Sequence, residues 1–334
     1  MTYYALALCL ALSVFFLLNA VFTSAATMLW TALHRGARGW SASARAKTVF
    51  ALRVLPPTLA LAFVSALLVP AFLVYEPYPA PDSVGLPLVA LSLVSAFGVG
   101  LALCRGVASW RATRRLTAEW LRRAEPLRIE GVCVEAYRLR HPTPVIAVVG
   151  AVRPRLFVAG QLFDALSREE MEVALAHERG HLVARDTLKR AVLKVCRDVL
   201  PIAWMGRALD KAWAEEAERA ADEYAAREGA AGALNLAAAL VKIARMMPTG
   251  ASHVAPVSAF LLEVTDDGLA GRVRRLTDMA ADGAEQTRRN FLASGNTLRI
   301  GLIGLAAMLL AMLPDLQLLA TVHTLTEHVV HLLK

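Results

Sequence analysis

Charge is absent from long stretches of this chain and dense between them. Residues 2–33 contain no Asp, Glu, Lys or Arg, and a helix needs about 20 apolar residues to cross the hydrocarbon of a bilayer. The pattern therefore predicts a first membrane helix over about residues 3–33, and uncharged runs at 54–74 and 84–104 predict a second and a third. A fourth, over 299–322, is less regular because Pro314, Asp315 and Gln317 interrupt it. Between the third and fourth runs, residues 105–298 carry an ordinary globular pattern. Short apolar pieces at 126–139, a β-branched run at 145–149 and a run at 156–159 after Pro154 predict two or three strands. Ser167 and Glu170 then form an S-x-x-E capping box, and Met171, Val173, Ala174 and Leu175 carry a helix onward from it. Residues 213–227 form a second helical, acid-rich segment. The fold class is mainly α, an integral membrane chain with about four transmembrane helices. Three lie in residues 1–104, an α+β domain in 105–298, the fourth helix in 299–322 and a short tail in 323–334.

Composition agrees with this division, since 57% of the residues are hydrophobic and the mean hydropathy is +0.48, well above ordinary soluble proteins. Arg35, Arg38, Arg45, Lys47 and Arg53 crowd the first connection without an acid, whereas the connection after the second run holds Glu76 and Asp82 and no Lys or Arg. By the positive-inside rule the first connection faces the cytoplasm. Arg105, Arg111, Arg114 and Arg115 after the third run, with Arg288, Arg289 and Arg299 before the fourth, place residues 105–298 on the same side. Both termini are then extracytoplasmic. A cleaved signal peptide fits poorly, because residues 1–8 lack a basic region and the apolar run is too long. The net charge of +8 sits mostly at predicted membrane edges, where it serves topology and anionic lipid, so nucleic acid is not expected as a partner. Cys9, Cys104, Cys133 and Cys196 have neither disulfide-scaffold nor C-x-x-C spacing.

The predicted helix after the capping box contains His177-Glu178-Arg179-Gly180-His181. Four residues apart, the two imidazoles lie on one helical face and can reach one zinc ion at about 2.0–2.1 Å. Glu178 lies beside that face, placed to take a proton from water activated by the ion and return it to a leaving amine. With the His and Glu content of this chain, such a pentad is expected by chance only about 0.01 times. A hydrolytic zinc site needs a third protein ligand. Ala184, Arg185 and Asp186 occupy the stretch where a third histidine follows the pentad in metzincins, which excludes that arrangement. Glu218 and Asp222, spaced to share a helical face, are the better source: Glu218 as metal ligand, Asp222 as acceptor for a ligand histidine's free N–H. The plain alternative is a solvated helix with ion pairs such as Glu215 to Arg219. His253 is a weaker ligand candidate. His323, His328 and His331 read as part of an interfacial or terminal helix, with Leu325, Val329, Val330 and Leu332 as its apolar side.

Taken together, residues 154–158, Leu166-Ser-Arg-Glu-Glu170, the pentad, Arg185-Asp186, Pro201, Trp204 and Glu218-x-x-Ala-Asp222 resemble the BlaR/MecR-type membrane metallopeptidases, and residues 271–276 are similar to a weaker downstream element of that group. The resemblance covers most of residues 105–298. It implies a gluzincin-like zinc metallopeptidase domain on the cytoplasmic side of a bacterial inner membrane. Its one Zn2+ would be held by His177, His181 and Glu218, with Glu178 as base and Asp222 behind a ligand histidine. It further implies signal transduction by cleavage of a protein, such as a transcriptional repressor or the enzyme itself. Only residues 323–334 follow the fourth run, so no penicillin-binding sensor domain is expected, and a separate sensor protein is one candidate partner. Heat-shock-type membrane metallopeptidases, which perform quality control, share the pentad and the E-x-x-A-D element; three helices before the pentad favour the first group. A non-catalytic scaffold with a structural zinc is disfavoured by the intact pentad, and a transporter by the lack of ionisable residues in the first three runs.

Overall fold

The computed structural model describes residues 2–76, 85–129, 134–200, 206–247, 268–281 and 316–332. Three of its helices are long and apolar enough to cross a membrane: Tyr3–Leu33, Ala42–Tyr75 and Leu86–Arg122. Leu8, Val21, Met28, Leu61, Leu73, Leu93 and Phe97 point outward from them, exposed, and such an apolar belt is what a lipid-facing surface requires. Helix α1 is Thr2–Leu33 and α2 is Ala42–Phe63, continued through a π-helical turn at Val64–Leu68 into α3, Val69–Tyr75.

Helix α2 begins well before its apolar run. Ser41 caps it by accepting from the Ala44 N–H, and Glu223 accepts from the Ala42 N–H, so Arg45, Lys47 and Arg53 lie in a helix rather than in a loop. Helix α4, Leu86–Arg122, likewise continues without a break past the end of the third apolar run. At 1.5 Å per residue it is about 55 Å long, so its far half is a wall of the domain beyond the apolar segment.

A four-stranded sheet follows: β1 Ala124–Leu127, β2 Ala136–Leu139, β3 Ile146–Val149 and β4 Arg155–Ala159, in the order β1-β2-β4-β3. Strand β2 pairs with β4 in parallel; the other pairings are antiparallel, which leaves β3 at an edge. Alternate residues of the strands face two different cores. Ile146, Val148, Leu156 and Val158 join Met171, Ala174, Leu236 and Leu240 on one face. Ala147, Val149, Phe157 and Leu139 pack with Trp120 of α4 on the other. The first core is closed by α6, Arg168–Ala184, α9, Ala230–Met246, and α10, Gly268–Ala281; the short α5, Leu162–Ala165, precedes α6.

Helices α7, Asp186–Val199, and α8, Arg207–Ala225, join the apolar helices to the domain. Ala26, Trp30 and Val49 of the apolar helices form one cluster with Leu193 of α7 and Leu209, Trp213 and Ala217 of α8. Ion pairs run along the antiparallel α2 and α8: Arg53 Nε to Asp210 at 2.9 Å and Arg45 Nε to Glu216 at 2.7 Å. Arg53 is fully buried, and Gly206 makes room for it: with φ at +79°, a Cβ there would lie 2.9 Å from the guanidinium carbon. Of the fourth predicted membrane helix, residues 299–315 lie outside the described residues. Residues 316–332 form α11, Leu316–Leu332, on which His323 stacks on Tyr75 at 5.7 Å.

Candidate metal centre

Helix α6 starts at the capping box expected for it. Ser167 Oγ accepts from the Glu170 N–H, Glu170 Oε2 accepts from the Ser167 N–H, and Lys242 of α9 donates to that same Oε2 at 2.7 Å. The box fixes the phase of the helix, which places His177 and His181 on the side facing α8. Close approach of the two helices depends on the pentad's Gly180. A Cβ there would stand 3.1 Å from Ala221 Cα and 3.2 Å from Tyr224 Cβ, tighter than packed side chains tolerate.

The helices bring His177, His181 and Glu218 together as one possible metal-binding group among the described residues. His177 Nε2 lies 3.2 Å from His181 Nε2 and 3.6 Å from Glu218 Oε2, and His181 Nε2 lies 3.5 Å from Glu218 Oε1. A tetrahedral ion with ligands at 2.0–2.1 Å requires donor atoms about 3.3 Å apart. The observed spacings match that edge length, and Glu218 Oε2 is buried with no hydrogen-bond partner. It meets only ion-pair contacts there, from Arg272 Nη1 at 3.3 Å and His177 Nε2 at 3.6 Å, so the fit rests on the donor spacing and on the donor set of two imidazoles and a carboxylate. These residues therefore fit a zinc ion.

The outer face of each histidine is held by a carboxylate. Asp222 Oδ1 lies 3.1 Å from His177 Nδ1, an ion-pair distance at an angle outside hydrogen-bonding range. His181 Nδ1 pairs with Asp186 Oδ2 at 2.9 Å. Both contacts favour the tautomer that leaves Nε2 free for a metal. Asp186 reaches His181 because α6 ends in a sharp reversal at Arg185, the sole non-glycine residue with positive φ among the described residues, at 55°. The left-handed conformation costs a non-glycine residue about 1 kcal/mol, and it turns the first residue of α7 back onto the pentad. Arg272 of α10 closes the site from behind. Its Nη2 and Nε donate to Asp222 at 2.6 and 3.2 Å, and its Nη1 lies 3.3 Å from Glu218 Oε2.

Burial and charge set the protonation of this cluster. Burial alone would lower the His177 pKa, but the carboxylates of Asp222 and Glu218 outweigh it and raise it to about 9. Burial would raise Glu218, but His181, His177 and Arg272 together hold it below the usual carboxylate range. Glu178 is pushed up by burial, against the opposing pull of the two histidines. A raised histidine pKa has a sign for metal binding, because zinc must displace the proton. In metal-stripped protein, the charged His177 pair stabilises the fold fully below the unfolded value of about 6.5 and loses that contribution as pH rises toward about 9. Zinc affinity should move the other way, strengthening by up to about tenfold per pH unit between 7 and 9. Competition with a chelator at several pH values measures this; affinity flat across that range would contradict it.

A cleft opens at the site. Glu178, His181 and Glu218 line it together with Ala147 and Val148 of β3, Ser109 and Thr113 of α4, and one face of α7. Ala151 and Thr187 also line a second depression beyond, walled by Val152, Val183 and Leu188. The site thus opens to a cleft beside an edge strand, with a second depression on the far side of Ala151 and Thr187.

All five site residues expected from the sequence, His177, Glu178, His181, Glu218 and Asp222, meet here. The Glu215 to Arg219 pair is present too, at 3.7 Å, alongside the site. Sequence reasoning assigned no role to Asp186 or Arg272; their signals were adjacency to the pentad and the downstream 271–276 element. His253 lies outside the described residues, as do Cys133, Pro201 and Trp204.

The model of peptidase family M48 matches residues 113–284, the span that carries the whole site. No curated protein and no solved structure matches the chain.

Proposed function

The chain belongs to peptidase family M48 and is a metallopeptidase; on that premise we propose a membrane-embedded, zinc-dependent endopeptidase of the bacterial inner membrane that cleaves a cytoplasmic or juxtamembrane protein segment in signal relay. The observation that carries this reading is the triangle of His177, His181 and Glu218, with buried Glu178 beside it at the floor of a groove. Zinc held by those three residues would polarise the scissile carbonyl and make water acidic enough to attack near neutral pH. Glu178 would serve as the base that takes a proton from the attacking water and passes it to the leaving amine. Strand β3, at the sheet edge, can bind an extended chain through its backbone N–H and C=O groups. The second depression past Ala151 and Thr187 is a candidate seat for substrate residues beyond the cut, in keeping with an endopeptidase. Asp222 and Asp186 keep the imidazole Nε2 atoms aimed inward.

The wall formed by α4 supports a juxtamembrane target, because Ser109 lies about one and a half turns beyond the end of the third apolar run at Cys104. The subgroup follows the BlaR/MecR-type resemblance. A repressor or the enzyme itself is then the substrate, the domain cytoplasmic and both termini extracytoplasmic. Heat-shock-type quality control would use the same chemistry on damaged membrane proteins. Mapping new protein N-termini in cells expressing the wild type or Glu178→Gln separates the readings. Termini confined to one regulator, or to this chain, support signal relay. Termini spread over many membrane proteins support quality control, and identical profiles under inducing stress would contradict a peptidase.

A further inference from the structure

Among the described part of residues 124–281, five large apolar side chains are exposed: Val152, Val183, Leu188, Val195 and Leu234. Scattered singly, such side chains need no explanation. The first three, however, line one depression of about 610 Å³ beside the catalytic cleft, with which it shares Ala151 and Thr187. Val152 and Val183 are 85% and 71% exposed, so water covers apolar walls in a space of the size that ligand sites occupy, about 300–1,000 Å³. The lining holds no Asp or Glu, and its charged members are Arg179 and Arg185. Neither guanidinium has a hydrogen bond or ion pair among the described residues. Arg185 is the more telling of the two. It stands at the left-handed reversal between α6 and α7, with φ at 55°, where glycine would sit without strain. The turn itself therefore needs no arginine, whereas a cation at the rim of an apolar depression has a use.

Resting on the peptidase reading above, the geometry points to a specificity subsite: the depression takes a large apolar side chain of the substrate, flanked in the substrate chain by an Asp or Glu, at a fixed position relative to the scissile bond. The apolar side chain leaves water for Val152, Val183 and Leu188. The carboxylate beside it meets Arg179 and Arg185, with no acid in the lining to repel it. A Lys or Arg in its place meets two like charges. Filling such a pocket corresponds to roughly tenfold preference over a small side chain, and an exposed charge pair to roughly two- to fivefold over the neutral amide.

The test uses the full chain, purified in detergent with zinc, and the tryptic peptides of a whole-cell extract, which keep their internal apolar and acidic residues. Cleavage sites are read by mass spectrometry, with Glu178→Gln as control. For the wild type, Leu, Ile, Met and Phe should be enriched roughly tenfold over Ala at one position relative to the cut. Asp and Glu should be enriched roughly two- to fivefold over Asn and Gln at a position next to it. Val152→Ser/Val183→Ser, both at exposed positions, should remove most of the apolar preference. Arg179→Gln/Arg185→Gly should remove the acidic one, and glycine suits the left-handed turn. Glu178-dependent cleavage by the wild type that lacks either preference overturns the subsite and leaves the peptidase standing. A preference undiminished by its own substitutions in a variant that still binds zinc also overturns it. Cleavage that is absent, or equal in the Glu178→Gln control, overturns the peptidase reading and the subsite with it.

Discussion

Glu178→Gln should leave zinc bound and lower peptide hydrolysis by roughly 10²–10⁴-fold, the contribution expected of a positioned general base. The side chain is 5% exposed and lines the cleft beside His181 and Glu218, without being one of the three donors that meet at the metal position. An amide of the same shape keeps the packing and removes the basicity. In the metal-free site, burial also raises the Glu178 pKa above its ordinary 4.5. Zinc content by elemental analysis, alongside hydrolysis rates, checks the substitution. Zinc lost together with activity would make Glu178 a structural residue, and full activity would remove it from the mechanism.

Arg272→Met should be as damaging by a different route. Arg272 is 3% exposed and holds Asp222 through two hydrogen bonds, with Glu218 Oε2 at 3.3 Å. Removing one partner of a buried ionic network leaves uncompensated charge, at a cost of about 3–5 kcal/mol. Here the stranded groups are the proposed metal ligand Glu218 and the carboxylate behind His177, so zinc affinity should also fall, by roughly 10–100-fold. Added zinc should recover part of the lost stability, because binding to the folded state alone stabilises by mass action. Thermal melting with and without zinc, together with a chelator competition, reads both effects. Unchanged melting and unchanged affinity would show that α10 is not part of the site. Arg272→Lys should fall between the two, keeping charge but losing the two-pronged contact.

What could be read from the sequence follows the range of the interactions. The capping box, the pentad and the Glu218 and Asp222 pair all act within one helix, where spacing of three or four residues fixes the shared face. The lone-strand pieces were legible as apolar runs, but their order was not: β2 beside β4 and β3 at the edge depend on pairings across the sheet. Arg272 meets Asp222 across 50 residues and Arg53 meets Asp210 across 157, and nothing local marks either pair. Arg53 is instructive, because by composition it looks like one more charge of a basic connection. It is instead fully buried in α2 and paired to the helix that supplies Glu218. On α8, Glu216 and Glu223 face α2, while Glu218 and Asp222, at about 100° per residue, face α6. The helix that carries Glu218, the proposed third ligand, is thus fastened along its back to an apolar helix. That relationship exists only once the chain is folded.

X-ray absorption at the zinc edge of the purified full chain tests the metal centre itself. Two imidazole nitrogens and carboxylate or water oxygen at about 2.0–2.1 Å, with one imidazole lost in His181→Ala, are expected for His177, His181 and Glu218. Sulfur in the first shell, or a spectrum unchanged by His181→Ala, would contradict the site.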